Sequence, residues 1–144
     1  MQTASIDLHW SGDYRVPKSP SEMMRDYSDK VLNVFDPAIE FWREFENIDA
    51  LVIPPGSIRL LRSAEVVQIP QDHGAILMSR STPGRRGLLH VHTGWFEGGF
   101  NGHATWEVFN GMPFAVVIPR GQAMVQLVFA EADTATQYAG RYQE

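Results

Sequence analysis

Polar and apolar residues alternate with a period of two over much of this chain. Ser5-Ile6-Asp7-Leu8-His9-Trp10 sets Ile6, Leu8 and Trp10 on one face and Asp7 on the other, which predicts a short strand. Beyond residue 50 the texture recurs in short runs: 51–53, a long strand or bent pair over 58–69, then 74–78, 87–96, 103–110, 114–118 and 122–129. Turn residues such as Pro54-Pro55-Gly56 separate them. Many short strands at nearly regular spacing predict an all-β sandwich, jelly roll or barrel. A different pattern lies between. After a turn at Gly12-Asp13, Ser19-Pro20-Ser21-Glu22 has the form of a capping box with proline at the first helical position. Met23, Tyr27, Val31 and Val34 follow near helical spacing, and Asp36-Pro37 resembles a second cap before a shorter helix carrying Phe41, Trp42 and Phe45. Those aromatic rings are expected to pack onto the sheet.

The size of the chain bounds what these elements build. With 144 residues, 44% of them hydrophobic, it suits one domain with a real core. The expected division is a β domain over 1–136 with a helical insertion at about 19–46, and a mobile arm over 137–144. No cysteine is present, which removes disulfides, thiolate nucleophiles and cysteine-held zinc. The zinc deaminases of nucleobases, which need a cysteine pair beside His-x-Glu, are therefore excluded. The first ten residues lack a basic start and apolar centre, and no apolar run nears the roughly 18 residues that span a bilayer. A soluble, cytoplasmic protein without a membrane partner is expected. A net charge of −5 argues against nucleic acid as partner. An anionic small molecule stays open, because a few arginines in a pocket outweigh carboxylates screened beyond about 8 Å.

Candidate chemistry concentrates in residues 80–110. Arg80, Ser81, Thr82, Arg85 and Arg86 join basic groups and hydroxyls around a Pro-Gly corner, a composition suited either to phosphate oxygens or to a solvated turn. Glu107 lies mid-strand between Trp106 and Val108, so it faces solvent or a pocket. A carboxylate facing a pocket is suited to general acid and base work near neutral pH, because burial disfavours its charged form. His90, His92 and His103 invite a metal reading, but no carboxylate completes a ligand set at a telling spacing. The glycines at 94, 98, 99 and 102, around Glu97 and Phe100, permit either close backbone approach to a ligand or a wide turn.

Taken in order, these pieces resemble the dCTP deaminase branch of the dCTP deaminase and dUTPase superfamily. Ser5-Ile6-Asp7-Leu8 is similar to the family's SID motif, and Pro55-Gly56 with the strand to Pro70 to its PGE turn. RSTPGRRGL at 80–88 is similar to RSSLARLGL, and TGWFEGGFNGHATWE at 93–107 to AGxIDPGFxGxxTLE. Residues 121–129 resemble GxxIGQLxF, and residues 138–143 the YxGKYQ tail.

The resemblance implies a distorted β-barrel or jelly roll of the dUTPase-like type that forms a homotrimer, with nucleotide sites between neighbouring subunits. By the same resemblance Arg80, Ser81 and Thr82 hold the triphosphate and Arg85 lies near the reacting base. Glu107 is the glutamate that marks deaminases. Thr93 stands at the family's alanine beside the base, and Glu97 at its aspartate. Gln126, Tyr138, Arg141 and Gln143 close over phosphates and sugar. The implied activity is zinc-independent hydrolysis of dCTP, or a related deoxycytidine nucleotide, to the deoxyuridine nucleotide and ammonia, with magnesium carried by the triphosphate. Glu107, Ser81 and Arg85 are the expected catalytic group, and no metal is expected on protein ligands. Two alternatives stay in play: a dUTP diphosphatase, alone or combined with deamination, for which Glu97 is an imperfect substitute for the motif's aspartate, and a non-catalytic nucleotide-binding regulator, favoured by Thr93, Glu97 and Gly98 in place of the family residues.

Overall fold

The computed structural model describes residues 5–23, 31–91 and 94–131. Along them run β1 (Ser5–Arg15), α1 (Pro20–Met23), β2 (Glu46–Asn47), β3 (Ala50–Ile53), β4 (Ile58–Gln68) and β5 (His73–Ser79). Then come α2 (Ser81–Arg85), β6 (Leu88–His90), β7 (Trp95–Phe96), β8 (Asn101–Asn110), β9 (Val116–Pro119) and β10 (Ala123–Glu131). The main sheet has the order β6-β8-β4-β1-β10-β5-β7, with β2 added against β1, and β3 pairs with β9 in a separate two-stranded sheet. Every pairing is antiparallel. The expected all-β class holds.

The alternation that predicted strands also decides what is buried. On β1, Leu8 and Trp10 turn inward, joined by Leu61 from β4, Leu77 from β5, Trp106 and Val108 from β8, and Val125 and Leu127 from β10. Each such aliphatic side chain contributes about 1.5–3 kcal/mol when fully removed from water. The small sheet covers one end of this core through Leu51, Ile53 and Ile118. Asn110, wholly buried at the end of β8, donates to the carbonyls of Ile53 and Phe114 and accepts from the Met112 amide, each at 2.9 Å. A buried amide is tolerated because its hydrogen bonds are made inside the protein.

The single strand expected over 87–96 is two strands on opposite edges. β6 pairs with β8, whereas β7 pairs with β5. The Leu77 amide also donates to the Gly94 carbonyl at 2.8 Å. This stretch thus joins the two free edges of the curled sheet. The 81–85 segment, read as a loop, forms one helical turn in which the Gly84 amide donates to the Arg80 carbonyl at 3.4 Å.

The insertion departs further from expectation. The capping box is present: the Glu22 carboxylate accepts from the Ser19 amide at 2.7 Å and α1 begins at Pro20. The second helix, expected after Asp36-Pro37, is absent. Asp36 does accept from the Ala38 amide at 2.9 Å, but only turns follow. Residues 41–43 run beside 16–18, with an isolated bridge from Pro17 to Trp42 and bonds from Lys18 to Phe41 and from Arg43 to Val16. Pairing with this neighbouring backbone satisfies the amides that a helix would have satisfied internally. Phe45 still meets the sheet, lying 4.2 Å from the Arg15 guanidinium and 5.5 Å from that of Arg62. Tyr27 lies outside the described residues.

Candidate active site

Strand β8 presents two unlike faces. Gly102, Ala104, Trp106, Val108 and Asn110 are buried, and the opposite face carries His103, Thr105 and Glu107 in a row. Glu107 does not project into bulk water. It is partly buried and lines a cleft of about 180 Å³. The cleft lies where the two edges of the curled sheet approach: His90 comes from β6, Trp95 and Phe96 from β7, and Leu77 from β5. Glu97 and Phe100 complete the wall. Phe96 and Phe100 meet edge to face at 4.8 Å, giving one side of the cleft an aromatic surface. A carboxylate beside an aromatic wall suits a planar polar heterocycle, whose face packs on the rings and whose polar edge meets the carboxylate.

The loop that carries Glu97 is tightly seated. A Cβ on Gly98 would stand 2.5 Å from the Gln71 carbonyl oxygen, so this position excludes any side chain. His103 is also fixed, with Nδ1 2.9 Å from the Ser63 carbonyl oxygen. Among the described residues, no group of three histidine and carboxylate side chains is arranged to hold one metal ion.

A second group forms on another part of the surface. Arg80 Nε lies 3.2 Å from an Asp7 oxygen, and Asp7 is the cross-strand partner of Gln126. The SID aspartate, the first loop arginine and the β10 glutamine therefore meet. Ser81, Thr82 and Arg85 lie exposed on α2 directly after Arg80. No residue of α2 lines the Glu107 cleft within one chain. The structure brings Glu107 and Glu97 into one cleft, and Arg80 and Gln126 into one cluster, without joining the two. Thr93, Tyr138, Arg141, Gln143 and His92 lie outside the described residues.

Sequence reasoning weighed His90 and His103 only as metal ligands and did not assign Thr105 or Trp95 to the cleft. The period of two on β8 was the available signal, since it sets residues 103, 105 and 107 on one face. No helix among the described residues is long and apolar enough to cross a membrane.

By architecture this is a dUTPase-type fold. The native dUTPase of EIAV superposes with a TM-score of 0.52 at 17% identity, over 69% of this chain and 84% of that one. A dUTPase from phage phi11 of S. aureus, described with a structural Mg(II) ion, gives 0.54 at 18% identity, over 67% and 80%. Sequence places the chain more narrowly. Residues 1–132 match the dCTP deaminase-like family. A Pyrobaculum arsenaticum protein named dCTP deaminase is 33% identical over 96% of this chain and 74% of its own length. A Sulfurihydrogenibium protein named dCTP deaminase, dUMP-forming, is 27% identical over 99% of this chain and 77% of its own. The chain belongs to the dCTP deaminase-like family.

Proposed function

We propose that this protein converts dCTP and water into dUTP and ammonia, with Glu107 as the acid and base. The observation that carries the reading is Glu107 itself: a half-buried carboxylate in an aromatic-walled cleft, at the family position of the deaminase glutamate. In this scheme Glu107 takes one proton from a water held beside Ser81. The resulting hydroxide adds to C4 of cytosine, and Glu107 returns the proton to the amino group, which leaves as ammonia when the C4–N bond breaks. Arg85 fixes the carboxylate, and backbone groups near the cleft read the edge of the base.

Because α2 is absent from the cleft of its own chain, Ser81 and Arg85 act on the Glu107 of a neighbouring copy in a homotrimer. An apolar groove of about 580 Å³ beside α2, lined by Met112, Phe114, Val116 and Val117, supports such packing. Arg80, Ser81, Thr82 and Gln126 would take the triphosphate, Thr93 and Glu97 the nucleoside, and Tyr138, Arg141 and Gln143 of the arm would close over it. A magnesium ion entering with the nucleotide would be held by phosphate oxygens and water.

Glu97 in the same cleft, and the relative named dUMP-forming, favour a second reading in which dUTP is also hydrolysed to dUMP and pyrophosphate. Incubation with dCTP and dUTP separates these outcomes by product: ammonia with dUTP, ammonia with dUMP, pyrophosphate from dUTP alone, or nothing for a non-catalytic regulator. Glu107→Gln should lower ammonia release about a thousandfold or more while calorimetry still detects nucleotide binding. Ammonia release at the wild-type rate would end the proposal.

A further inference from the structure

Phe35 is the most exposed large apolar side chain among the described residues, at 89%, with Val31 at 74% and Val34 at 61% close by in sequence. The turn that presents it has its own hydrogen bonds. The Asn33 side chain accepts from the Phe35 amide at 3.0 Å, the Asn33 carbonyl from the Asp36 amide at 3.1 Å, and the Asp36 carboxylate from the Ala38 amide at 2.9 Å. An ordered tip thus holds a phenyl ring in water, a cost that burial against another surface removes. The groove beside α2 is a matching surface. Met112 lines it, Phe114 and Val117 line it while 56% and 61% exposed, and Val52, the cross-strand partner of Val117, continues the apolar patch. Arg86 on its wall is exposed, and its guanidinium pairs with no carboxylate among the described residues.

Tip and groove belong to the two surfaces that catalysis brings together. Phe45 seats the insertion on Arg15 and Arg62. By register, Arg15 stands in a row with Leu60 and Glu107, and Arg62 stands opposite Thr105. Paired residues share a sheet face, so the insertion rests on the face that bears Glu107. When α2 of one copy meets the Glu107 of the next, the groove of the first is drawn towards the insertion of the second. Resting on the deaminase reading above for that pairing, we infer that the Val34-Phe35 tip of each copy docks in the groove beside α2 of its neighbour, with Asp36 against Arg86. Tip and groove are different surfaces, so the contact runs head to tail and closes as a ring.

The chain has no cysteine, so introduced thiols report proximity without background. Phe35→Cys and Val117→Cys chains, reassembled together and treated with a short bis-maleimide, should give a linked pair, and the double variant should give linked trimers. Phe35→Cys with Val66→Cys, an exposed position at the far end of β4, should not. Phe35→Ser keeps the fold, because that side chain is almost wholly exposed in its own chain. It should raise the concentration at which trimers dissociate by about tenfold or more, with a parallel loss of specific activity in dilute enzyme. Linking no stronger than in the Val66 control, or a Phe35→Ser trimer as tight as wild type, overturns the docking and leaves the groove to another occupant. A wild-type chain that stays monomeric overturns it too. Tip-to-groove linking in a wild-type protein that releases no ammonia from dCTP would uphold the contact and defeat the deaminase reading alone.

Discussion

At Gly74 the backbone lies flat against the indole of Trp95, and a Cβ built there would come within 2.0 Å of the ring. Gly98 is equally crowded, but by the carbonyls of Gln71 and His73. The difference decides the outcome of substitution. Trp95 is half exposed and can swing away, so Gly74→Ala should cost about 1 kcal/mol or less in stability and weaken nucleotide binding by displacing one cleft wall. Backbone cannot yield in the same way. Gly98→Pro, which restores the family residue, should destabilise by about 2 kcal/mol or more. Calorimetric melting checks both, and equal costs would contradict the packing described. At this scale Glu107 was legible, because a lone carboxylate in an alternating strand has only two places to go. The seat of His103 was not, since it depends on the Ser63 carbonyl, forty residues away in sequence, which periodicity does not record.

Among the elements, the strands were legible from alternation, and the capping box from its spacing. The aromatic segment after Asp36 was not. Its residues fit one helical turn, and pairing with 16–18 offered the same backbone satisfaction with a better seat for Phe45. The insertion is tied instead by Glu22, whose carboxylate accepts from Arg43 at 2.8 and 3.1 Å and from the Ser19 amide. The Arg43 hydrogen bonds, then the Ser19 amide, hold its pKa down to about 2 from 4.5. A depressed folded value means that the tie is fully present above pH 4.5 and is lost as pH falls towards 2. Protection of the Lys18 and Arg43 amides against hydrogen exchange should fall across that window while β8 stays protected. Glu22→Gln should show low protection at every pH. A pH-independent profile in the wild type would remove Glu22 from this role.

For the whole molecule, the separation of α2 from the Glu107 cleft has a direct test. Glu107→Gln and Arg85→Ala should each be inactive as pure oligomers. Unfolded together and reassembled at equal amounts, they should recover about a quarter of wild-type activity, because random assembly pairs an intact glutamate with an intact neighbouring arginine at that frequency. No recovery would mean that each chain completes its own site. The barrel class was legible because many short alternating runs leave few other architectures. The crossing from β6 on one sheet edge to β7 on the other was not, since apolar residues separated by single polar ones read as one alternating strand.

That crossing gives a bound nucleotide a mechanical part to play. A ligand gripped by Glu107 on one margin and by Trp95 on the other acts as a clasp across the seam of the barrel. At a hundredfold excess over Kd it should raise stability by about 2.7 kcal/mol. The slowing of exchange should be greatest at the edge strands β6 and β7 and their neighbours β8 and β5, not at β1 in the middle of the sheet.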